Sequence, residues 1–128
     1  RFSDTDAMGV VWHGNYLRFF EDGREDFGKK FGLEYLDMYK FGYFTPIVKS
    51  EVNHKAPIYF GDKVKIVTRF IVQRAAKLVF EYQIVNTENG NICADGKTIQ
   101  VFLSVKERQL ELNAPQFFVE WKKKYLNK

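Results

Sequence analysis

A carboxylate and a histidine lie close together near the start of the chain, on either side of a short apolar run. Asp6 precedes the run, and His13, Gly14 and Asn15 follow it, just before a segment with helical periodicity. The first N–H groups of a helix have no partner within the helix and carry the positive end of its dipole, so they stabilise negative charge. The pattern therefore predicts that amides near His13 hold a carbonyl oxygen as it becomes an oxyanion.

Asp6 supplies the second part of an acyl-transfer site on the same loop. A carboxylate of ordinary acidity is ionised at neutral pH, and it can attack an activated carbonyl or deprotonate a water molecule. Because a carboxylate is a weak nucleophile, the pattern favours a substrate with a good leaving group, and the thiolate of a thioester is one. A turn-forming role remains the alternative for Asp6.

The other polar residues of this region have structural interpretations that compete with catalysis. His13 fits a pocket-lining role more readily than the role of a base, and Asn15 is a favoured helix N-cap. Asp4 fits a turn residue, and Glu21 fits an ion-pair partner of Arg24 one turn away. The core of the prediction is therefore Asp6 facing helix amides.

A long amphipathic helix is predicted over residues 15–31, directly after this loop. Aromatic residues recur every three or four positions on one face, namely Tyr16, Phe20, Phe27 and Phe31. Charged residues fill the other side, Arg24 among them. Gly23 in mid-helix costs roughly 1 kcal/mol against alanine, so a close approach by another backbone is expected there. A short second helix is predicted over 33–40.

From residue 46 the period of the apolar residues changes to two, which predicts antiparallel strands. The expected strands run over about 47–56, 64–72, 78–84 and 92–105, and alternating residues at the chain start predict a further strand that begins upstream of Arg1. A closing helix is expected over 116–125. A helix with a rich aromatic stripe must be covered by a sheet that curls around it. The predicted fold class is therefore α+β, a curved antiparallel sheet of about five strands around one long helix, with an open edge suited to dimer pairing.

The bulk composition indicates one domain over residues 1–128 that needs no disulfide or metal. Lysine plus arginine number 20 and aspartate plus glutamate 16, and the net charge of +4 attracts an anionic ligand but is too small to imply nucleic acid. No apolar run approaches the ~20 residues of a membrane span. The single cysteine, Cys93, cannot form an intrachain disulfide; it lacks a catalytic context and fits a reducing, cytoplasmic compartment.

Two spacings near the chain start carry a family resemblance. The pattern D-x-D-x-x-G-x-V-x-H-x-N-Y, followed by F-E-x-x-R-x-x-F, resembles the 4-hydroxybenzoyl-CoA thioesterase family of hotdog-fold enzymes, and within it the bacterial acyl-CoA thioesterase branch associated with the Tol-Pal system. The likeness continues through Thr45-Pro46-Ile47-Val48, Ala56-Pro57 and Gly61-Asp62, and covers roughly residues 1–105. It implies a hotdog fold, paired edge to edge into a dimer and often into a tetramer.

The resemblance also implies functional residues. It assigns the catalytic carboxylate to Asp6 and the amide that polarises the thioester carbonyl to the backbone N–H of His13, in an active site at the subunit interface. The implied substrate-binding positions are Gly14, Asn15, Tyr16, Thr45, Arg74 and Lys77. Arg74 matches a basic position that contacts the nucleotide, whereas Ala75 replaces a second arginine of the aryl-specific relatives and Lys77 replaces a serine. CoA contact is therefore expected in a loosened form, and an aryl substrate is not supported.

The expected activity is hydrolysis of an acyl-CoA to a carboxylic acid and CoA, with no cofactor and no metal, by a homodimer or homotetramer. Two alternatives remain. A hotdog hydratase or dehydratase would use a D-x-N-x-x-H pattern, which this sequence lacks. A non-catalytic protein that binds acyl thioesters would have no need of Asp6.

Overall fold

A computed structural model describes residues 14–59 and 61–126 of the chain, with side chains from Tyr16 onward. The strand predicted at the start of the chain lies outside these residues. The described residues form three helices, namely α1 (Gly14–Phe31), α2 (Tyr35–Lys40) and α3 (Gln116–Tyr125). The strands are β1 (Tyr43–Phe44), β2 (Ile47–His54), β3 (Val64–Ile71), β4 (Lys77–Asn86), β5 (Ile92–Val101) and β6 (Leu103–Ser104).

Four of these strands form one antiparallel sheet in the order β2-β5-β4-β3, and β1 pairs with β6 in a separate two-stranded sheet. The β3–β4 pairing runs in regular register from Val64 opposite Asn86 to Ile71 opposite Val79. Alternation along β3 and β4 turns one apolar face of the sheet toward α1. The helices and the strands β2, β3 and β4 have bounds within about two residues of those predicted, whereas β1 was not predicted and the last strand differs.

Aromatic side chains join α1 to the sheet. The Phe20 ring stacks on the Tyr82 ring of β4 with centroids 4.6 Å apart. About two turns further along α1, the Phe27 ring stacks on the Phe70 ring of β3, with centroids 5.9 Å apart. Pairs of this geometry contribute about 0.5–1.5 kcal/mol beyond the area they bury. The periodic stripe read from the sequence is therefore the face that α1 buries.

Two glycines set how closely α1 lies on the sheet. A Cβ atom at Gly23 would collide with the Thr68 hydroxyl of β3 and would lie 2.9 Å from Cγ2 of Ile66. A Cβ atom at Gly96 of β5 would collide with the Phe20 ring. A close neighbour does lie at Gly23, but side chains of β3 make the contact, and not the backbone that the sequence predicted.

The helix α3 closes the far end of α1. The indole N–H of Trp121 donates a 2.6 Å hydrogen bond to the Phe31 carbonyl, one of the last carbonyls of α1. Such carbonyls have no partner within their own helix. The Trp121 ring also packs against Phe70 with centroids 5.2 Å apart. One residue therefore satisfies the end of α1 and extends the aromatic core.

The single strand predicted over 92–105 is interrupted, which corrects that prediction. Phe102 separates β5 from β6, is fully buried, and directs the chain out of the large sheet so that β6 pairs with β1. The residues of β5 that face α1 are Thr98 and Gln100, which are buried, whereas Ile99 is only half-buried on the other face. The buried side of this strand is thus partly polar.

The strand β2 forms one edge of the sheet and is exposed along most of its length. Two of its apolar residues are largely in contact with solvent, Ile47 at 44% and Val48 at 60% exposure. An uncovered apolar edge strand offers unpaired N–H and C=O groups to another chain. Among the described residues, no helix is both long enough and apolar enough to cross a membrane.

Candidate active site

The predicted catalytic residues, Asp6 and His13, lie outside the described residues. The positions that follow them, Gly14, Asn15 and Tyr16, form the first turn of α1. Within the described residues this turn contains no acidic side chain, and the first N–H groups of a helix have no partner within it, so they favour a negatively charged oxygen. Because α1 begins at Gly14, Asn15 lies inside the first turn and not at the predicted N-cap.

Tyr16 fixes this first turn to the sheet. Its side chain is buried, and its ring lies 4.7 Å from the ring of His54 at the end of β2. Burial raises the pKa of Tyr16, the neighbouring Cys93 raises it further, and a hydrogen bond with the Ile58 backbone opposes the shift. A residue predicted to bind substrate is therefore a core residue that positions the helix start.

A cleft of about 300 Å³ opens between α1 and β2, which is an edge strand in the described part of the chain. We call it the edge cleft, and its lining residues are Leu17, Arg18, Glu21, Arg24, Ile47, Ser50 and Thr98. Leu17 and Arg18 lie within one turn of Gly14, so the cleft adjoins the start of α1. It is the cavity that the sheet edge and the helix N-terminus share.

Arg24 and Glu21 form the ion pair that the sequence predicted, with Nη2 and Oε1 3.8 Å apart. The two side chains differ in burial, at 8% and 55% exposure. Arg24 was placed on the polar, solvent-facing side of the helix, and that placement is wrong. Because Glu21 is largely solvated, this long ion pair compensates the buried guanidinium only in part.

Arg24 also reaches a second cavity of about 220 Å³, which extends from the buried face of the sheet to exposed residues of α2. We call it the inner cavity, and it is lined by Arg24, Glu25, Lys29, Leu33, Glu34, Tyr35, Leu36, Met38, Leu78, Phe80 and Gln100. Sequence reasoning missed this cavity. The signal was present in the alternation of β5, where Gln100 shares the buried face with Phe102.

Thr45, another predicted substrate-binding residue, lies beside Gln100. Nε2 of Gln100 donates a 2.8 Å hydrogen bond to the Thr45 carbonyl. Both residues are buried, and within the described part of the chain Oγ1 of Thr45 and Oε1 of Gln100 have no hydrogen-bond partner. Buried polar atoms are rarely left unpaired, so this pair requires an explanation.

The predicted nucleotide-binding residues lie at another place on the molecule. Arg74 and Lys77 are exposed in and after the turn from β3 to β4, and β3 is the sheet edge opposite β2. Arg74 lines an open cleft of about 690 Å³ together with Lys122 and Lys123 of α3. We call it the basic cleft. Lys122 and Lys123 thus join Arg74 in one cleft, whereas the edge cleft is lined by other residues.

Over residues 14–59 and 61–126, no three His, Cys, Asp or Glu side chains gather closely enough to hold a metal ion. The described thiol is unsuited to nucleophilic attack, because burial raises the pKa of Cys93 above its ordinary value.

A long helix laid across a curved antiparallel sheet, with its start beside an open edge strand, defines an α+β protein of the hotdog class. The family model described as the thioesterase-like superfamily matches residues 1–122. The chain belongs to the thioesterase-like superfamily.

Individual relatives agree with this assignment. YneP of Bacillus subtilis, a candidate acyl-CoA thioesterase, is 32% identical over 108 residues, which are 78% of this chain and 78% of that protein. YbgC of Escherichia coli, an acyl-CoA thioester hydrolase, is 32% identical over 88 residues, 69% of this chain and 66% of that protein. The crystal structure of a DHNA-CoA thioesterase from Staphylococcus aureus matches with a TM-score of 0.77 and 31% identity, over 99% of this chain and 78% of that one. The predicted hotdog fold and enzyme class, a thioester hydrolase, are confirmed.

Proposed function

We propose that this protein is an acyl-CoA thioesterase that uses Asp6 as base or nucleophile and the His13 amide as oxyanion donor. The observation that carries the proposal is the start of α1 at Gly14, beside the edge cleft, in a member of the thioesterase-like superfamily. The finer assignment to the 4-hydroxybenzoyl-CoA thioesterase family, and to its Tol-Pal-associated branch, is part of this proposal.

Asp6 could hydrolyse the thioester by either of two mechanisms. In one, the Asp6 carboxylate attacks the thioester carbon, the CoA thiolate leaves, and water hydrolyses the mixed anhydride to regenerate the carboxylate. In the other, Asp6 removes a proton from water as the water attacks, and the thiolate leaves with a proton returned to it. Both routes place negative charge on the carbonyl oxygen, and one well-placed donor lowers such a barrier by roughly 3 kcal/mol.

The edge cleft is proposed as the acyl site and the basic cleft as the site of the CoA phosphates. Arg74 and its neighbours Lys122 and Lys123 present three cations around one open cavity, and cations of this kind pair with phosphate oxygens. Lys77, nearby in sequence, extends the positive surface. Within one chain these two clefts are lined by different residues, so a partner subunit is expected to contribute.

We therefore include a homodimer in the proposal, with β2 of one subunit paired to β2 of another, and a homotetramer as its further assembly. Pairing would satisfy the open edge, cover Ile47 and Val48, and complete the wall of the edge cleft. One domain over residues 1–128 and a cytoplasmic location, suggested by the single cysteine, complete the proposal.

The decisive experiment compares Asp6→Asn with Asp4→Asn in an assay of thiol release. Both variants remove one carboxylate from the same motif, and only Asp6 is assigned to the reaction. We expect Asp6→Asn to lose most of the turnover, by about 100-fold or more, and Asp4→Asn to retain it. Equal activity of Asp6→Asn and the parent protein removes Asp6 from the mechanism.

A substrate profile over short-chain, long-chain and aryl acyl-CoAs accompanies this comparison. It is needed because the relatives are named for acyl-CoA in one case and for DHNA-CoA in another. If the parent protein binds acyl-CoA but releases no thiol, the thioesterase assignment is wrong and the protein is a non-catalytic binder of acyl thioesters.

A further inference from the structure

We infer that the preferred acyl group carries a hydroxyl far from the thioester, and that the inner cavity binds this hydroxyl between Gln100 and Arg24. The inference rests on the proposed thioesterase function and adds to it the chemical class of the acyl group. Its evidence is a buried acceptor and a buried donor that line one small cavity.

Gln100 provides the acceptor. Its side chain is 1% exposed, and its Nε2 is committed to the Thr45 carbonyl at 2.8 Å. That bond fixes the orientation of the amide, because a carbonyl can bond only the N–H side. Oε1 is therefore an acceptor without a partner in the described part of the chain, and leaving it unpaired costs about 1–3 kcal/mol. A ligand that donates a hydrogen bond removes this cost.

Arg24 provides the donor. Its guanidinium carbon lies 5.1 Å from the centre of the Tyr35 ring, and its ion pair with Glu21 is long. A buried guanidinium with five N–H groups binds an oxygen acceptor well. A hydroxyl group satisfies both sides at once, since its hydrogen bonds Oε1 and its oxygen accepts from Arg24.

The charges around the inner cavity favour a neutral group over a carboxylate. Arg24 and Lys29 are balanced by Glu25 and Glu34 in its lining. A carboxylate would meet two acidic neighbours and would offer no hydrogen to Oε1 of Gln100. The remaining buried walls are apolar and suit a hydrocarbon chain.

The position of Arg24 connects the inner cavity to the proposed reaction site. Arg24 lines both the edge cleft and the inner cavity, and we place the acyl chain along it, from one into the other. It stands ten positions after Gly14 on α1, which is about 15 Å along the helix axis. The inner cavity has about seven times the ~30 Å³ of a liquid water molecule, enough for the end of a medium-length chain. The geometry thus fits a hydroxyl near the end of the chain.

The test uses two CoA thioethers that cannot be hydrolysed, S-dodecyl-CoA and its ω-hydroxydodecyl counterpart, in isothermal titration calorimetry. We expect the hydroxylated analogue to bind the parent protein about 10-fold more tightly. Gln100→Leu should reduce this ratio to about one. Gln83→Leu is the matched control: it makes the same replacement on the neighbouring strand, on the sheet face away from α1, and should keep the ratio.

A second variant covers the case in which Gln100→Leu does not fold. Met38→Phe fills the inner cavity, leaves the Gln100 side chain in place, and should also abolish the preference. Equal affinity of the two analogues for the parent protein, or a preference that survives in Met38→Phe or in folded Gln100→Leu, overturns the inference. Hydrolysis of dodecanoyl-CoA is measured alongside. Hydrolysis without a hydroxyl preference refutes only this inference, whereas no hydrolysis and no binding refutes the proposed function with it.

Discussion

Replacing Gly23 by alanine sets two free-energy effects of opposite sign against each other. Helix propensity alone predicts a gain of about 1 kcal/mol, because alanine loses less backbone entropy than glycine in a helix interior. Packing predicts a loss, because the added Cβ would collide with the Thr68 hydroxyl and crowd Ile66 at 2.9 Å. Overpacking of a well-filled core costs about 1–3 kcal/mol, and two such contacts place this case at the upper end.

We therefore expect Gly23→Ala to lower the free energy of unfolding by about 1–2 kcal/mol, which corresponds to about 4–8 °C in Tm. Urea unfolding followed by circular dichroism measures it. Every variant is compared at one protein concentration, because association with a second copy raises apparent stability.

Two further variants test the cause of the loss. Thr68→Ala removes the hydroxyl that the added Cβ would meet. The double variant should therefore recover about 1 kcal/mol of the lost free energy of unfolding, a coupling energy typical of residues in contact. Asp22→Ala changes the exposed neighbouring position and should gain a few tenths of a kcal/mol from propensity alone. A Gly23→Ala protein at least as stable as the parent would refute the close packing of α1 on β3.

Three other predictions concern the core, the end of α1 and the sheet edge. Burial raises the pKa of Cys93 above 9.0 and that of Tyr82 above 10.0, so the folded state keeps protons that the unfolded chain releases. The contribution of these two groups to stability should then be fully present below about pH 9 and be lost as the pH rises through the shifted pKa values, and urea titrations with Tyr82→Phe should show a shallower fall. Trp121→Phe removes the 2.6 Å bond to the Phe31 carbonyl and should cost about 1–3 kcal/mol in the same measurement. Val48→Glu places a charge on the exposed edge strand and should give a monomer in sedimentation velocity, with loss of thiol release; an unchanged dimer would exclude β2 as the interface.

Much of the fold is predictable because its signals are local. The aromatic stripe of α1 predicted its bounds to within one residue, and Gly23 within that stripe predicted a close neighbour before the neighbour was known. Leu78, Phe80 and Tyr82 alternate along β4 and are all buried. In each case the period of the apolar residues and the geometry of the element agree, so no information from elsewhere in the chain is needed.

The misses depend on contacts between distant segments. Arg24 stands on the charged side of the helical pattern, and it is buried because α2 folds back over that side and places Tyr35 against it. The buried face of β5 is polar at Gln100, and the strand ends at Phe102 because β6 leaves the sheet to pair with β1. An interpretation based on hydropathy alone places buried polar residues such as Arg24 and Gln100 on the surface. The cavities of the candidate site therefore could not be predicted from the sequence, and its motif stays a prediction.

The edge of β2 and the edge cleft are parts of one surface, since Ile47 and Ser50 belong to both. In the described part of an isolated chain this surface is exposed, and helix amides that face water stabilise charge weakly because the dielectric is high. In the proposed homodimer, the same pairing that covers Ile47 would also exclude water from the cleft and strengthen those amides. Pairing through β2 would thus cover the apolar edge and strengthen the proposed oxyanion site at the same time.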